Sequence, residues 1–230
     1  MRRAAAAQLP RPVLPPVFFT HLHSDHPLGY PDLIFSPGVL ERTAPLAAYG
    51  PPGLRAMTDH LRAAWLEDIE RRLDGGEPSN KTGWDLNVHA ITASVVYRDA
   101  HVTENAFAVP HGTWKNALGY RFETADRTLV ISGDTTFTAE MVEQARGADG
   151  LGHEAYSEVG LKTRAPPWQK YHAAFHPSSS DVTRIARAAK PKLPVLHHLV
   201  LSGQPPEQVL REVTAGYTGQ VVIGQDLAVY

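Results

Sequence analysis

The amino-acid sequence predicts one α/β domain over residues 1–230, and three observations lead there. Short apolar runs with strand character alternate with stretches of helical three-and-four spacing. The length suits a single core that needs no disulfide or structural metal as a staple. Composition is ordinary for a globular chain, with 43% hydrophobic and 20% charged residues and no low-complexity tract.

The elements follow in order. Val17-Phe18-Phe19 predicts a short strand that runs into His21-Leu22-His23-Ser24-Asp25-His26. A Pro- and Gly-rich loop comes next. Leu54, Met57, Leu61, Trp65, Ile69 and Leu73 then recur at steps of three and four, predicting one amphipathic helix over residues 53–73 that Gly75-Gly76 ends. Residues 87–109 read as strands leading to Pro110-His111-Gly112. Thr128–Ile131 is a strand before Ser132-Gly133-Asp134, and residues 193–196 form one before His197-His198. Ligand-type side chains therefore gather at strand ends. Helices are expected over residues 138–145, 179–190 and 206–215, with Ser178 and Asp181 at capping-box spacing, and a closing strand around residues 221–223.

A net charge of -2 and a pI near 6.6 give no basic footprint for a long duplex. The absence of cysteine removes disulfides, thiolate zinc sites and cysteine nucleophiles, so any metal is held by imidazole and carboxylate. No run has the length of an apolar membrane span, and residues 1–9 show no leader pattern; the expected location is cytoplasmic.

Residues two apart on a strand face one side, so His21 and His23 would reach one metal while Asp25 and His26, in the turn beyond, face a second. A catalytic zinc takes three protein ligands and keeps one position open, which His21, His23 and His111 would provide. Asp134 would bridge to a second ion completed by Asp25, His26 and His198. The expectation is two divalent ions, zinc first and manganese as the alternative.

Preceded by an apolar strand and Thr20, His21-Leu22-His23-Ser24-Asp25-His26 resembles the HxHxDH signature of the metallo-β-lactamase superfamily. Pro110-His111-Gly112, Ser132-Gly133-Asp134-Thr135 and His198 follow in that family's order. The resemblance implies an αββα sandwich. Tyr49-Gly50-Pro51-Pro52-Gly53-Leu54, Gly152-His153-Glu154-Ala155 and His176-Pro177-Ser178-Ser179 are similar to the ribonuclease Z-like and arylsulfatase-like branch. That branch implies that His176 donates a proton to the scissile group and that Glu154 orients it, so Asp25, His176 and Glu154 are the expected catalytic residues. Family members open with several strands before HxHxDH, whereas Met1 to Pro16 alone stands before it here. An N-terminally truncated version of the fold is therefore expected, with an unpaired sheet edge and a homodimer as consequences.

His197 is expected to pack or support, since it points opposite to His198. His60, His89, His101 and His172 are read as ordinary polar residues, the first in the helix and the others in strands or loops; Asp85, Asp99 and Asp126 flank turns. The function implied is a hydrolase in which a metal-bound hydroxide attacks a phosphodiester, sulfate ester or lactone, on a small-molecule ester or an RNA 3′ end. The alternative is a truncated, non-catalytic paralogue that binds metal or a partner protein.

Overall fold

The computed structural model describes residues 2–9 and 14–230; Met1 and residues 10–13, part of the short lead-in, lie outside the described residues. The chain divides into two compact units, one of residues up to 91 with 226–230, the other of residues 92–225.

The first unit begins with α1 (Arg2–Ala6), β1 (Val17–Phe18), α2 (Tyr30–Val39) and β2 (Leu46–Gly50), and continues with α3 (Leu54–Ala64), α4 (Leu66–Asp74) and β3 (Leu86–Ala90). Its three strands form a parallel sheet in the order β1-β2-β3. Phe19, Tyr30, Ile34, Leu46, Ala48, Leu54 and Val88 make its core. Two expectations are corrected here. Residues 53–73 are not one helix: Trp65, at φ -110° and ψ 16°, separates α3 from α4, and its ring packs on Phe35. The apolar period continues across that one-residue interruption, so spacing alone cannot register it.

The second correction concerns the expected Pro- and Gly-rich loop, which contains both α2 and β2. Pro31 stands in the first turn of α2, where a missing N–H costs nothing. Pro37 lies inside the helix and cannot donate to the Leu33 carbonyl one turn back. The buried guanidinium of Arg42 supplies the substitute donor. It donates to Leu33 O at 3.3 Å, Ile34 O at 3.1 Å and Gly83 O at 2.8 Å. A long-range side chain thus completes a helix that local propensity disfavours.

The second unit runs β4 (Ser94–Arg98), β5 (Thr103–His111), β6 (Trp114–Glu123), β7 (Thr128–Ile131), α5 (Ala139–Ala145), β8 (Gly150–Tyr156), α6 (Glu158–Lys162), α7 (Pro166–Phe175), α8 (Ser179–Ala189), β9 (Leu193–Val200), α9 (Pro206–Thr214) and β10 (Val222–Ile223). Its seven strands are ordered β10-β9-β8-β7-β6-β5-β4, antiparallel from β4 to β7 and parallel from β7 to β10. Phe107, Val109, Val130, Met141, Leu151 and Ile185 pack in one cluster, and Val182, Leu196, Val209 and Val213 in another. Thr138 caps α5 by accepting from Met141 N, and Ser178 with Asp181 forms the expected capping box of α8. Neither α6 nor α7 was expected.

Glu104 on β5 is fully buried, and among the described residues neither of its carboxylate oxygens has a hydrogen-bond partner. Tyr97 and Phe122 are its neighbours in register on β4 and β6. Burial pushes this carboxyl up to about 8. The folded protein therefore keeps a proton that the unfolded chain releases, so stability falls as pH rises from the ordinary carboxylate range through about 8. Glu104→Gln should gain stability over the parent by on the order of 1 kcal/mol per pH unit across that window. Urea titrations between acidic and mildly alkaline pH check this; a difference that does not vary with pH contradicts it.

Candidate metal centre

In the first unit the ligand-type residues lie beyond β1 and not on it. The strand ends at Phe18, and the Phe19 N–H makes one last bond, to Tyr49 O at 2.8 Å. His21 and His23 stand in irregular backbone, with Ser24, Asp25 and His26 in the turn that follows. Their convergence is therefore a property of the turn and not of strand alternation. His21 Nε2 lies 3.1 Å from His23 Nδ1, and the His21 and His26 rings are 4.1 Å apart. Thr20 Oγ1 sits 3.1 Å from His21 Nδ1, so the Nε2 of this buried ring is the atom turned toward His23. The Asp25 carboxylate is solvent-exposed, 3.7 Å from His26 Nε2.

In the second unit, His111 ends β5, Asp134 follows β7, Glu154 lies on β8, His176 caps the end of α7 and His198 lies on β9. One ligand atom from each of Asp134, Glu154, His176 and His198 falls within 4.8 Å of the others. His111 donates from Nδ1 to the Phe175 carbonyl at 2.8 Å, which fixes the tautomer and presents Nε2, 4.0 Å from Asp134 Oδ2. Glu154 accepts from Thr135 N at 2.7 Å through Oε1, and its Oε2 lies 2.6 Å from His176 Nδ1. Burial pushes the Glu154 carboxyl above its usual range, opposed by its hydrogen bond to His176 and by the nearby His198.

His198 reaches this cluster through a β-bulge. Across the β8–β9 pair, His153 stands opposite Leu196 and Ala155 opposite Leu199, so Glu154 faces two residues, His197 and His198. His198 takes the left-handed conformation, φ 46°, which costs a non-glycine residue energy and breaks the alternation of side chains. Its Nδ1 comes within 3.6 Å of Asp134 Oδ1 and 3.4 Å of Glu154 Oε2. His197 packs against Gly152, where an added Cβ would come within 3.3 Å of its ring.

Other histidines are placed apart from this cluster or beside it. His60 is exposed on α3, His89 stacks on Tyr49, and His101 is exposed in a turn. His172 lies in α7, not in a strand or loop, and its ring stands 5.7 Å from that of His176. His153 is fully buried, donates from Nδ1 to Glu154 O and has its titration pushed down to about 4 by burial. The Phe175 carbonyl and the Thr135 N–H are invisible in the sequence, because backbone groups leave no residue-type signal.

This arrangement of strands, helices and carboxylate–histidine clusters defines a metallo-β-lactamase fold, and the chain belongs to the β-lactamase superfamily: the family model "Beta-lactamase superfamily domain" matches residues 2–199. More particularly, it is ribonuclease Z-like. It is 29% identical to the ribonuclease Z of Mycobacterium sp. (strain KMS), over 98% of this chain and 80% of that protein. It is 28% identical to the ribonuclease Z of Mycobacterium bovis (strain BCG / Pasteur 1173P2), over 99% and 82%. The short form of human tRNase Z is similar in fold, with a TM-score of 0.69 at 19% identity over 98% of this chain and 82% of that one. The metallo-β-lactamase fold protein YhfI from Bacillus subtilis has a TM-score of 0.68 at 20% identity, over 94% and 78%.

Gly112 ties this geometry to the backbone. It has φ 55°, and a Cβ there would lie 2.2 Å from the Phe175 ring. Gly112→Ala should displace Phe175, whose carbonyl holds His111, and destabilise the fold by about 2 kcal/mol or more. Chemical denaturation reads the loss; parent-like stability would mean that Phe175 moves aside freely.

Proposed function

We propose that this protein is a metal-dependent phosphodiesterase of ribonuclease Z type that cleaves an ester bond at the 3′ end of RNA. The observation that carries the reading is the buried Glu154–His176 pair, 2.6 Å apart, set beside Asp134 and His198. The relatives named ribonuclease Z favour the phosphodiester over the sulfate ester or lactone that the residues alone leave open. The family match runs through both compact units, which supports treating residues 1–230 as one functional domain. No described helix is long and apolar enough to cross a membrane.

The donor set suits divalent cations. Tetrahedral zinc holds its ligand atoms about 3.3 Å from one another, and the 3.6 and 4.0 Å separations of His198 and His111 from Asp134 are near that edge. Divalent cations would draw their ligand atoms from His21, His23 and His111 and from Asp25, His26, His198 and Asp134. Zinc fits the imidazole-rich set best, manganese second. Bound cations would supply Lewis acidity, making water more acidic and neutralising charge that develops on the ester oxygens.

The chain's own groups then have separate tasks. Asp25 accepts a proton from the attacking water and aims it. Glu154 holds His176 through Nδ1, and the Thr135 N–H in turn holds Glu154, so the imidazole keeps one orientation. His176 is thereby left with Nε2 to give a proton to the departing oxygen as the phosphorus–oxygen bond breaks.

A leaving group that needs no proton separates this role from a structural one. His176→Ala should slow cleavage of an RNA 3′ extension by about 10²–10⁴-fold, yet slow bis(p-nitrophenyl) phosphate far less, because p-nitrophenolate departs unprotonated. Glu154→Gln should follow the same pattern more weakly. Steady-state rates on the two substrates decide. Equal losses on both would remove the proton-donor assignment, and no hydrolysis of either by the metal-loaded parent would remove the functional reading.

A further inference from the structure

α7 carries an aromatic row that none of these steps uses. Trp168 is 50% and Tyr171 40% exposed, large apolar surfaces to leave in water side by side. Trp168 stacks on His172 with centroids 5.8 Å apart, and the His172 ring stands 5.7 Å from that of His176. Tyr171 meets Trp168 edge-on and stacks on Phe175 at 4.3 Å. The rings thus run without a gap from the surface to the Glu154–His176 pair.

Cations share this row's segment of chain. Residues 159–180 include Lys162, Arg164 and Lys170 and no Asp or Glu, although the whole chain has a net charge of -2. The Arg164 guanidinium lies 5.8 Å from the centre of the Trp168 ring. The chain is held at both ends of this segment: Glu212 on α9 accepts from the N–H groups of Glu158 at 2.8 Å and Val159 at 3.2 Å and from the hydroxyls of Ser157 and Ser179. A ledge of flat rings edged by positive charge is complementary to a single-stranded nucleic acid, whose bases stack without sequence preference while its phosphates meet Lys and Arg. An apolar protein partner would not call for this run of three cations between Glu158 and Asp181.

We propose that the α7 ledge binds the single-stranded RNA segment next to the scissile ester, with bases on Trp168 and Tyr171 and phosphates on Arg164 and Lys170. This rests on the phosphodiesterase reading and names the surface that would deliver its substrate to His176.

The test is fluorescence polarisation of a labelled single-stranded oligouridylate with the full chain, at several salt concentrations. Trp168→Ala and Tyr171→Ala should each weaken binding about tenfold. Trp168→Phe, which keeps a ring, should recover most of that loss. Lys170→Gln should reduce the slope of log affinity against log salt by roughly one. Undiminished affinity in both alanine variants overturns the proposal, as does a Trp168→Phe loss equal to that of Trp168→Ala, which would trace the effect to packing. Binding of polyglutamate as tight as that of the oligonucleotide also overturns it. The readout needs no turnover, so a chain that cleaves no ester but shows the ring-dependent binding would keep the ledge and lose the hydrolase reading.

Discussion

The Glu154 carboxylate is the group on which the second unit's half of the site depends. It lies wholly out of water on β8, where an unsatisfied carboxylate would cost several kcal/mol, on the order of the penalties for buried ions generally. It is tolerated because Thr135 N and His176 bond it and His198 lies close by. Each of these groups comes from a different segment: the turn after β7, the end of α7 and the bulge in β9. Satisfying one buried carboxyl group therefore draws together three stretches of chain that are far apart in sequence. Asp134 is held in the same act, since it is the neighbour of Thr135.

The bulge in β9 is a second constraint of the same kind. In a regular strand, His197 and His198 would point to opposite faces and Glu154 would face a single residue. One extra residue in β9 and a left-handed φ at His198 turn its imidazole toward Asp134 and Glu154. Local strain at a bulge beside a cluster of titratable groups is consistent with selection for geometry over stability. Arg42 shows the opposite use of a long-range contact, repairing the helix in which Pro37 would otherwise leave the Leu33 carbonyl unbonded.

Much of this was legible in the sequence, and the gaps have physical causes. The HxHxDH run, the apolar strands before His111 and Asp134, and the Ser178–Asp181 capping box all have short-range signatures, so spacing and residue type find them. The α2 helix and β2 were hidden because Pro31, Pro37 and a run of small residues read as loop until Arg42 is placed. The break at Trp65 leaves the apolar period intact and is invisible to it. The α7 ledge carries no motif; its aromatic spacing reads as core, and only exposure shows that Trp168 and Tyr171 are not buried. Buried polar groups such as Glu104 are set by tertiary packing, which no local pattern encodes.

Metal binding at Asp134 is what the proposed function depends on. Anomalous scattering at the zinc edge, from crystals of zinc-loaded protein, tests it most directly. Two zinc peaks, with Asp134 among the nearest side chains, are expected. A single peak, or zinc bound away from Asp134, would contradict it.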